Sequence, residues 1–311
     1  MKYSIENRKI WLNGEMLHVN DAKINVLSPT SQFGLNVFEG IPCYWNEETK
    51  HLYAFRLDDH YNRLQKSAKM LEIACPYTKE EMKEAFINVI KENDFKENIS
   101  VRQTLFVEDF GSWGSSEPVG MFVAPIPKKN TNVEYNKQGL RVCVSSFERI
   151  SERNISPLVK CGANYINSRN GQREAIKKGF DTCLFLNNKG TVSEGPGSCF
   201  FMIKNKKLIT PTLSDSILDS ITRDSIIKIA KEMNILIEER SIEKKELYNC
   251  DEAFLCGSSM EVTPLICIDN YEIKSNYDIT NSLHQKYIQI AKGRYISDIY
   301  SVYNNWTTMV Y

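Results

Sequence analysis

The sequence predicts a mixed α/β protein of two domains. Short apolar or alternating stretches, typical of strands, are interspersed with amphipathic helical stretches along the chain. A polar, proline-containing segment at 126–136 predicts a linker between a smaller N-terminal domain (1–125) and a larger C-terminal domain (137–311). The length of 311 residues is enough for two domains with separate cores.

The N-terminal part is predicted to contain a hairpin, two helices and two buried strands. Asn13-Gly14 between extended stretches is typical of a hairpin turn. Apolar residues at helical spacing predict a helix over 60–73, and a capping box at 78–81 predicts the start of a second one. The strands are expected over 100–107 and 119–124, joined by a Gly/Ser-rich loop.

The C-terminal part alternates predicted strands and helices. Helices are expected over 163–178, from Thr222 onward and over 279–291. The aromatic-rich tail, 295–311, is expected only to pack against the rest. The predicted strands are 140–145, 183–186, 191–193, 199–203, 207–210, 235–239 and 253–256.

Composition narrows the function classes. The 39 basic and 39 acidic residues give zero formal net charge, which argues against a nucleic-acid binder. No apolar run approaches the roughly 18 residues of a membrane span, and the first nine residues lack the apolar core of a signal peptide. Nine cysteines without a Cys-x-x-Cys pair, together with only four histidines, predict reduced, mostly buried thiols in a cytoplasmic protein without a metal site.

Candidate functional residues lie in the C-terminal half. Lys160 has apolar and glycine neighbours, a setting in which a lysine loses hydration, its pKa falls and it can form a Schiff base, although a single lysine is ordinarily a solvated charge. By pattern alone, Glu194 is more simply a turn residue. Residues 220–222 precede an amphipathic helix and suit either an anion such as phosphate or ordinary capping. Residues 257–259 form a turn rich in donors, or a plain polar turn.

The order and spacing of these segments carry more information than any one of them. The segments are Lys160 with Asn164-Tyr165, Glu194-Gly195, Thr210-Pro211, Ile221-Thr222-Arg223 and Gly257-Ser258-Ser259. Upstream marks that agree with them are Trp11-x-Asn13-Gly14-Glu15, Phe33-Gly34, Val37-Phe38-Glu39-Gly40-Ile41, His60-x-x-Arg63-Leu64 and Val101-Arg102. Over residues 9–275 the sequence resembles the branched-chain aminotransferase family, which comprises pyridoxal-phosphate enzymes of fold-type IV.

The resemblance implies a cofactor site for pyridoxal 5'-phosphate. Lys160 would be the catalytic residue, which binds the cofactor covalently and then moves the substrate proton. Glu194 would contact the pyridine nitrogen, and Tyr165 the phenolic oxygen of the ring. The residues that would hold the phosphate are Arg63, Ile221, Thr222 and Ser258.

The resemblance also implies a substrate pocket. Its members would be Phe33, Phe38, Gly40, Ser100, Arg102, Ser258 and Ser259. Arg102 matches the arginine that receives the distal carboxylate of glutamate. Phe33 and Ser100 stand where the family commonly has tyrosine, and Cys199 stands where asparagine is usual. The two lost phenolic hydroxyls predict a substrate that is bulkier than, or different from, leucine, isoleucine or valine.

The activity implied is transfer of an amino group between a branched-chain or other hydrophobic L-amino acid and 2-oxoglutarate, in two half-reactions and within amino-acid biosynthesis. Two alternatives share the fold: a D-amino-acid or amine transaminase, and an aminodeoxychorismate-lyase-like enzyme. Arg102 and residues 257–259 favour the L-amino-acid enzyme. The resemblance further implies a homodimer or higher homo-oligomer, in which the loop at 110–114 reaches the partner's active site.

Overall fold

The computed structural model describes residues 7–128, 138–294, 303 and 305–311. From residue 129 onward the predicted linker lies outside the described residues, as do 295–302 and 304 of the aromatic tail. Within the described part, no helix is both long and apolar enough to cross a membrane.

Strands and helices alternate along the described chain. The strands are β1 (Lys9–Leu12), β2 (Glu15–His18), β3 (Asn36–Asn46), β4 (His51–Phe55), β5 (Ile99–Val107), β6 (Val119–Pro127), β7 (Leu140–Glu148), β8 (Thr182–Leu186), β9 (Glu194–Gly195), β10 (Ser198–Lys204), β11 (Lys207–Thr210), β12 (Ile237–Glu239), β13 (Glu252–Gly257), β14 (Glu261–Ile268), β15 (Tyr271–Glu272) and β16 (Thr307–Met309). The α-helices are α1 (Pro29–Phe33), α2 (Leu57–Met70), α3 (Lys79–Asn93), α4 (Tyr165–Lys177), α5 (Ile221–Glu232) and α6 (Asp278–Ala291), and short 3₁₀ helices occupy Leu213–Asp215 and Lys244–Asn249.

The chain forms two compact units, each of which combines a sheet with helices, as the predicted fold class requires. The first unit takes in the described parts of Met1–Lys128, Val159–Ala163 and Gln289–Tyr311. The second takes in the described parts of Lys129–Leu158 and Asn164–Ile288. Each unit therefore consists of several separate segments of the chain. That residues 126–136 form a linker between two domains stays a prediction.

The sheet of the first unit is antiparallel, with the strand order β16-β4-β3-β5-β6-β1-β2. The predicted hairpin is confirmed as β1 and β2. Its turn residues Asn13 and Gly14 both have positive φ, 49° and 100°, which is the geometry that favours Asn-Gly. The predicted capping box is also confirmed, because Thr78 accepts from the N–H of Glu81 while Glu81 accepts from the N–H of Thr78. One face of this sheet packs with α2 and α3 into the core of the unit.

The sheet of the second unit is mixed, with the path β12-β11-β10-β13-β14-β7-β8 and with β9 on β10 and β15 on β14. The neighbours β7 and β8 run parallel, which requires a crossover between them. That crossover contains α4, which packs on both strands. Gly171 lets the helix approach closely, since a Cβ there would lie 2.4 Å from a ring carbon of Phe185.

Three differences from the sequence predictions have physical causes. Residues 191–193 do not form a strand, because Thr191 and Val192 make isolated bridges to two different partners, Glu243 and Leu186. Strand β3, which is not among the predicted strands, runs for eleven residues and is buried along nearly all of them. It therefore lacks the alternation of apolar and polar residues that marks a half-exposed strand. Strand β14 is absent from the sequence predictions because Pro264 lies within it.

The cysteine and tail predictions agree with the structure where it describes them. None of the nine cysteines, all of which lie in the described part of the chain, forms a disulfide, and all but Cys75 and Cys250 are buried. In the tail, β16 pairs with β4, and the buried ring of Trp306 packs edge-on against Phe55 with centroids 5.7 Å apart. The guanidinium carbon of Arg56 lies 4.7 Å from the centroid of the same indole.

Candidate functional site

The predicted functional residues fall into two groups, one in each unit. We call the group around Lys160 in the first unit the lysine cluster, with Phe38, Glu39, His60, Arg63 and Arg102. We call the group around Glu194 in the second unit the carboxylate cluster, with Arg149, Cys199 and Leu218.

The backbone of Lys160 is held beside strand β3. Its carbonyl accepts a hydrogen bond of 3.0 Å from the N–H of Phe38, and its N–H donates to Ser67 Oγ over 3.2 Å. The flanking residues Val159 and Cys161 are buried, whereas Lys160 is half-buried. Val159 and Cys161 belong to the core of the first unit, whereas the amine of Lys160 lies near the ring of Phe38.

The ring of Phe38 lies beside two cations. Lys160 Nζ is 4.9 Å from its centroid, and the guanidinium carbon of Arg102 is 4.1 Å away. The pairing of β3 with β5 sets Arg102 opposite Gly40, and the Ser100 hydroxyl is 3.7 Å from where a Cβ on Gly40 would lie. The ladder between the two strands therefore brings four of the predicted substrate residues together, namely Phe38, Gly40, Ser100 and Arg102.

Phe33 ends the short helix α1 and is 42% exposed. Its ring meets that of Trp113 edge-on, with centroids 6.3 Å apart. Trp113 and Phe110 are 78% and 70% exposed, so Phe33 belongs to an apolar surface that includes the loop at 110–114. Gly34 caps α1 in the left-handed conformation, with φ 72°.

Arg63 lies on α2, where its guanidinium forms a two-pronged ion pair with Glu39 of β3. Its Nε donates to Oε1 over 2.8 Å and its Nη2 to Oε2 over 2.7 Å. His60, one helical turn before Arg63, places Nδ1 2.7 Å from the same Oε2. Burial opposes ionisation of Glu39, but Arg63 and then His60 hold the pKa of this carboxyl well below its usual range. Burial lowers the pKa of His60, and because an ionised carboxylate can only accept, the imidazole donates to it from Nδ1.

In the carboxylate cluster, Glu194 of β9 is buried and paired with Arg149. Arg149 Nε and Nη2 lie 2.9 and 2.8 Å from Glu194 Oε1. The N–H of Leu218 donates to Oε2 over 3.2 Å. Cys199 faces Glu194 across the β9–β10 ladder, and its thiol lies 3.8 Å from Oε2 and 3.8 Å from the carbonyl of Leu218. Glu194 is thus a buried ion-pair partner in a short strand, and the turn interpretation is wrong.

The other predicted residues of the second unit sit at element ends. Tyr165 is the first residue of α4, and its ring lies 3.9 Å from where a Cβ on Gly197 would be. Helix α5 begins at Ile221, with Ser220 as N-cap accepting from the N–H of Arg223, so Ser220 caps the helix, and phosphate binding at this helix start stays a prediction. Thr222 is buried in the first turn of α5, while Ser258 and Ser259 occupy the turn that joins β13 to β14.

The sequence predicts no role for Arg149, Glu39 or His60. Arg149 lies 45 residues before Glu194, so their pairing leaves no local pattern in the sequence. Glu39 stands inside one of the motifs. An acidic residue within an otherwise apolar stretch of β3 is the sequence signal that could have identified it. His60 shares a face of α2 with Arg63 and Ser67, and the spacing of three and seven residues predicts that arrangement.

The chain matches the family model of amino-transferase class IV over residues 36–267. It is 33% identical over 304 residues, which is 97% of this chain and 96% of the other, to a probable branched-chain-amino-acid aminotransferase of Aquifex aeolicus.

Two solved structures share the fold over almost their whole length. The branched-chain amino acid aminotransferase of Thermobaculum terrenum, in its PLP-form, has a TM-score of 0.90 and 35% identity, covering 99% of each chain. A branched-chain amino acid aminotransferase of T.th., in complex with N-(5'-phosphopyridoxyl)-L-glutamate, has a TM-score of 0.90 and 30% identity, covering 99% of this chain and 100% of that one.

The mixed fold, the two clusters and these matches define the class of protein as a transferase. The chain belongs to the class IV aminotransferase family, as the resemblance seen in the sequence predicts, and its relatives are branched-chain enzymes.

Proposed function

We propose that this enzyme is a pyridoxal-phosphate-dependent aminotransferase that exchanges an amino group between branched-chain or other hydrophobic L-amino acids and 2-oxoglutarate. The observation that carries the proposal is the buried ion pair of Glu194 with Arg149. A buried ion pair is weak support for a fold, because apolar residues of similar volume stabilise a protein equally well. Its presence at the position where the family needs a carboxylate therefore supports a chemical role.

The donor set suits pyridoxal phosphate. The lysine cluster offers an amine at Lys160 and a guanidinium at Arg63, which match an aldehyde and a phosphate. The carboxylate cluster offers Glu194 for a protonated ring nitrogen, and the first turn of α5 offers backbone N–H groups and the hydroxyl of Thr222 for a phosphate. We assign the cofactor to Lys160, Arg63, Tyr165, Glu194, Ile221, Thr222 and Ser258.

When bound, the cofactor supplies a reactive aldehyde and a ring that accepts electrons. The amine of Lys160 would hold the cofactor, and Nζ would serve as the base that takes the proton from the substrate Cα. The hydrogen bonds of the Lys160 backbone to Phe38 and Ser67 fix the position of its Cα, from which the side chain extends. Arg149 holds one oxygen of Glu194 and Leu218 holds the other, so the carboxylate keeps one orientation.

Substrate binding is assigned to Phe33, Phe38, Gly40, Ser100, Arg102, Ser258 and Ser259. Arg102 supplies the positive charge for the distal carboxylate of glutamate, and its guanidinium carbon lies 4.1 Å from the centroid of the Phe38 ring, which stabilises the cation there. The small residues Gly40 and Ser100 lie side by side, which leaves room for a branched side chain or for a bulkier one, as the loss of the tyrosine at position 100 predicts. The phosphopyridoxyl-glutamate complex of the T.th. relative supports glutamate and 2-oxoglutarate as one substrate pair.

The test is an amino-donor panel. The purified enzyme is incubated with 2-oxoglutarate and L-leucine, L-isoleucine, L-valine or D-leucine, and glutamate is measured. We expect glutamate from the L-isomers and none from D-leucine or from the Lys160→Ala variant. Glutamate from D-leucine, or release of pyruvate from aminodeoxychorismate, would instead support the alternatives.

We propose further that the enzyme is a homodimer or higher homo-oligomer of the cytoplasm. Phe33, Phe110 and Trp113 are exposed apolar side chains, and the rings of Phe33 and Trp113 meet edge-on, which supports a contact with a second copy of the chain. The free, mostly buried thiols are typical of a reducing compartment.

A further inference from the structure

Glu39 is an acidic side chain with no exposed surface, and the proposed reaction does not use it. A buried carboxylate is costly unless its charge is balanced and its oxygens accept hydrogen bonds. Both conditions are met at one place, where Arg63 donates to each oxygen and His60 donates to Oε2. The arrangement joins strand β3 to helix α2 through three polar side chains.

These contacts fix the direction of the Arg63 side chain. Two parallel hydrogen bonds to one carboxylate leave a guanidinium a single plane, whereas a long arginine side chain otherwise samples many rotamers. His60 holds Oε2 at the same time, so the carboxylate cannot rotate away from Arg63. Because Arg63 is assigned to the cofactor phosphate, its plane decides how well it meets that group.

The same face of α2 also positions the catalytic lysine. Ser67 lies four residues after Arg63, and its Oγ accepts from the N–H of Lys160 over 3.2 Å. A shift of α2 would therefore move the proposed phosphate contact and the proposed covalent contact together. Glu39, through Arg63 and His60, ties this helix face to strand β3.

We propose that Glu39 and His60 are positioning residues, which hold Arg63 in the orientation that binds the cofactor phosphate. This inference rests on the proposed function, because it needs Arg63 to meet a phosphate. If the charge of Glu39 mattered alone, its removal would strengthen the attraction of Arg63 for phosphate, whereas loss of orientation weakens binding.

The test is the dissociation constant of the cofactor, measured by titrating cofactor-free protein and following absorbance, with no activity assay. For Glu39→Gln we expect the dissociation constant of pyridoxal phosphate to rise about tenfold or more. Pyridoxal, which has no phosphate, should bind to this variant within about twofold of its binding to the wild type.

His60 supplies a second variant in case Glu39→Gln fails to fold. His60→Leu removes the hydrogen bond to Oε2 and should raise the dissociation constant of pyridoxal phosphate severalfold. In His60→Asn the amide nitrogen can donate where Nδ1 does, so binding should return close to the wild-type value. Tyr61→Phe is the matched control on the same helix, since this buried hydroxyl donates to the carbonyl of Met82 and does not contact Glu39.

Unchanged or tighter binding of pyridoxal phosphate by Glu39→Gln would overturn the inference, and so would equal losses for both vitamers. Failure of the proposed function has a different signature. In that case wild type and Lys160→Ala would bind pyridoxal phosphate alike, whatever residue stands at position 39.

Discussion

The ion pair of Arg149 and Glu194 gives a stability prediction that separates a buried pair from a surface one. Both side chains are nearly inaccessible, with exposed fractions of 7% and 4%. Arg149→Met removes two charge-assisted contacts to Oε1, and Glu194 then keeps the N–H of Leu218 and the thiol of Cys199 as neighbours. A buried carboxylate without its cation is strongly unfavourable, so we expect the free energy of unfolding to fall by about 3–5 kcal/mol.

The assay is urea unfolding of cofactor-free protein, with the midpoint and slope compared between variants. The double variant Arg149→Met/Glu194→Leu removes both charges, and we expect it to regain most of the lost stability while remaining inactive. A loss below about 1 kcal/mol in the single variant would show that the pair behaves like an exposed one. A double variant no more stable than the single one would equally refute the reasoning.

Three further predictions follow from particular contacts. Gly171→Ala should lower the free energy of unfolding, measured in urea, by about 1–2 kcal/mol, because the new Cβ would lie 2.4 Å from the buried ring of Phe185. This loss outweighs the preference of alanine for a helix, which is about 1 kcal/mol. A variant as stable as the wild type would refute this prediction. Burial opposes ionisation of Glu174, but hydrogen bonds from Lys178, Ser145 and Ser146 lower its pKa from 4.5 to about 2. Its ionised form therefore stabilises the fold above pH 4.5, and the stability difference between wild type and Glu174→Gln should shrink as the pH falls from 4.5 to about 2; a difference independent of pH would contradict it. Trp113→Ser should weaken self-association in sedimentation equilibrium without lowering the stability of the monomer, because the indole is 78% exposed, and an unchanged assembly would contradict the proposed interface.

Elements with strong local signals were predictable from the sequence. The Asn13-Gly14 turn and the Thr78 capping box depend on residues within four positions of each other, so the pattern contains the whole interaction. Strand β3 was harder to predict from the sequence, because a strand that is buried along most of its length lacks the alternation between apolar and polar residues. The bridges of Thr191 and Val192 depend on Glu243 and Leu186, and the partner of Thr191 is distant in sequence.

The candidate site shows the same division. Lys160, Arg63 and Glu194 could be predicted as site residues because they stand in motifs of a characteristic order. The residues that contact them come from distant parts of the chain. The N–H of Lys160 meets Ser67, which lies 93 residues earlier. Glu194 meets Arg149, and nothing in the sequence around Arg149 distinguishes it from an exposed arginine. The motif residues could therefore be predicted, whereas the partners that orient them required the fold.

The proposed function depends most directly on a covalent bond between Lys160 and pyridoxal phosphate. The most direct measurement is borohydride reduction of the purified enzyme, followed by proteolysis and mass spectrometry of the modified peptide. We expect a single phosphopyridoxyl group on Lys160, which is absent after the same treatment of Lys160→Ala. A modification on another lysine, or none at all in protein loaded with the cofactor, would contradict it.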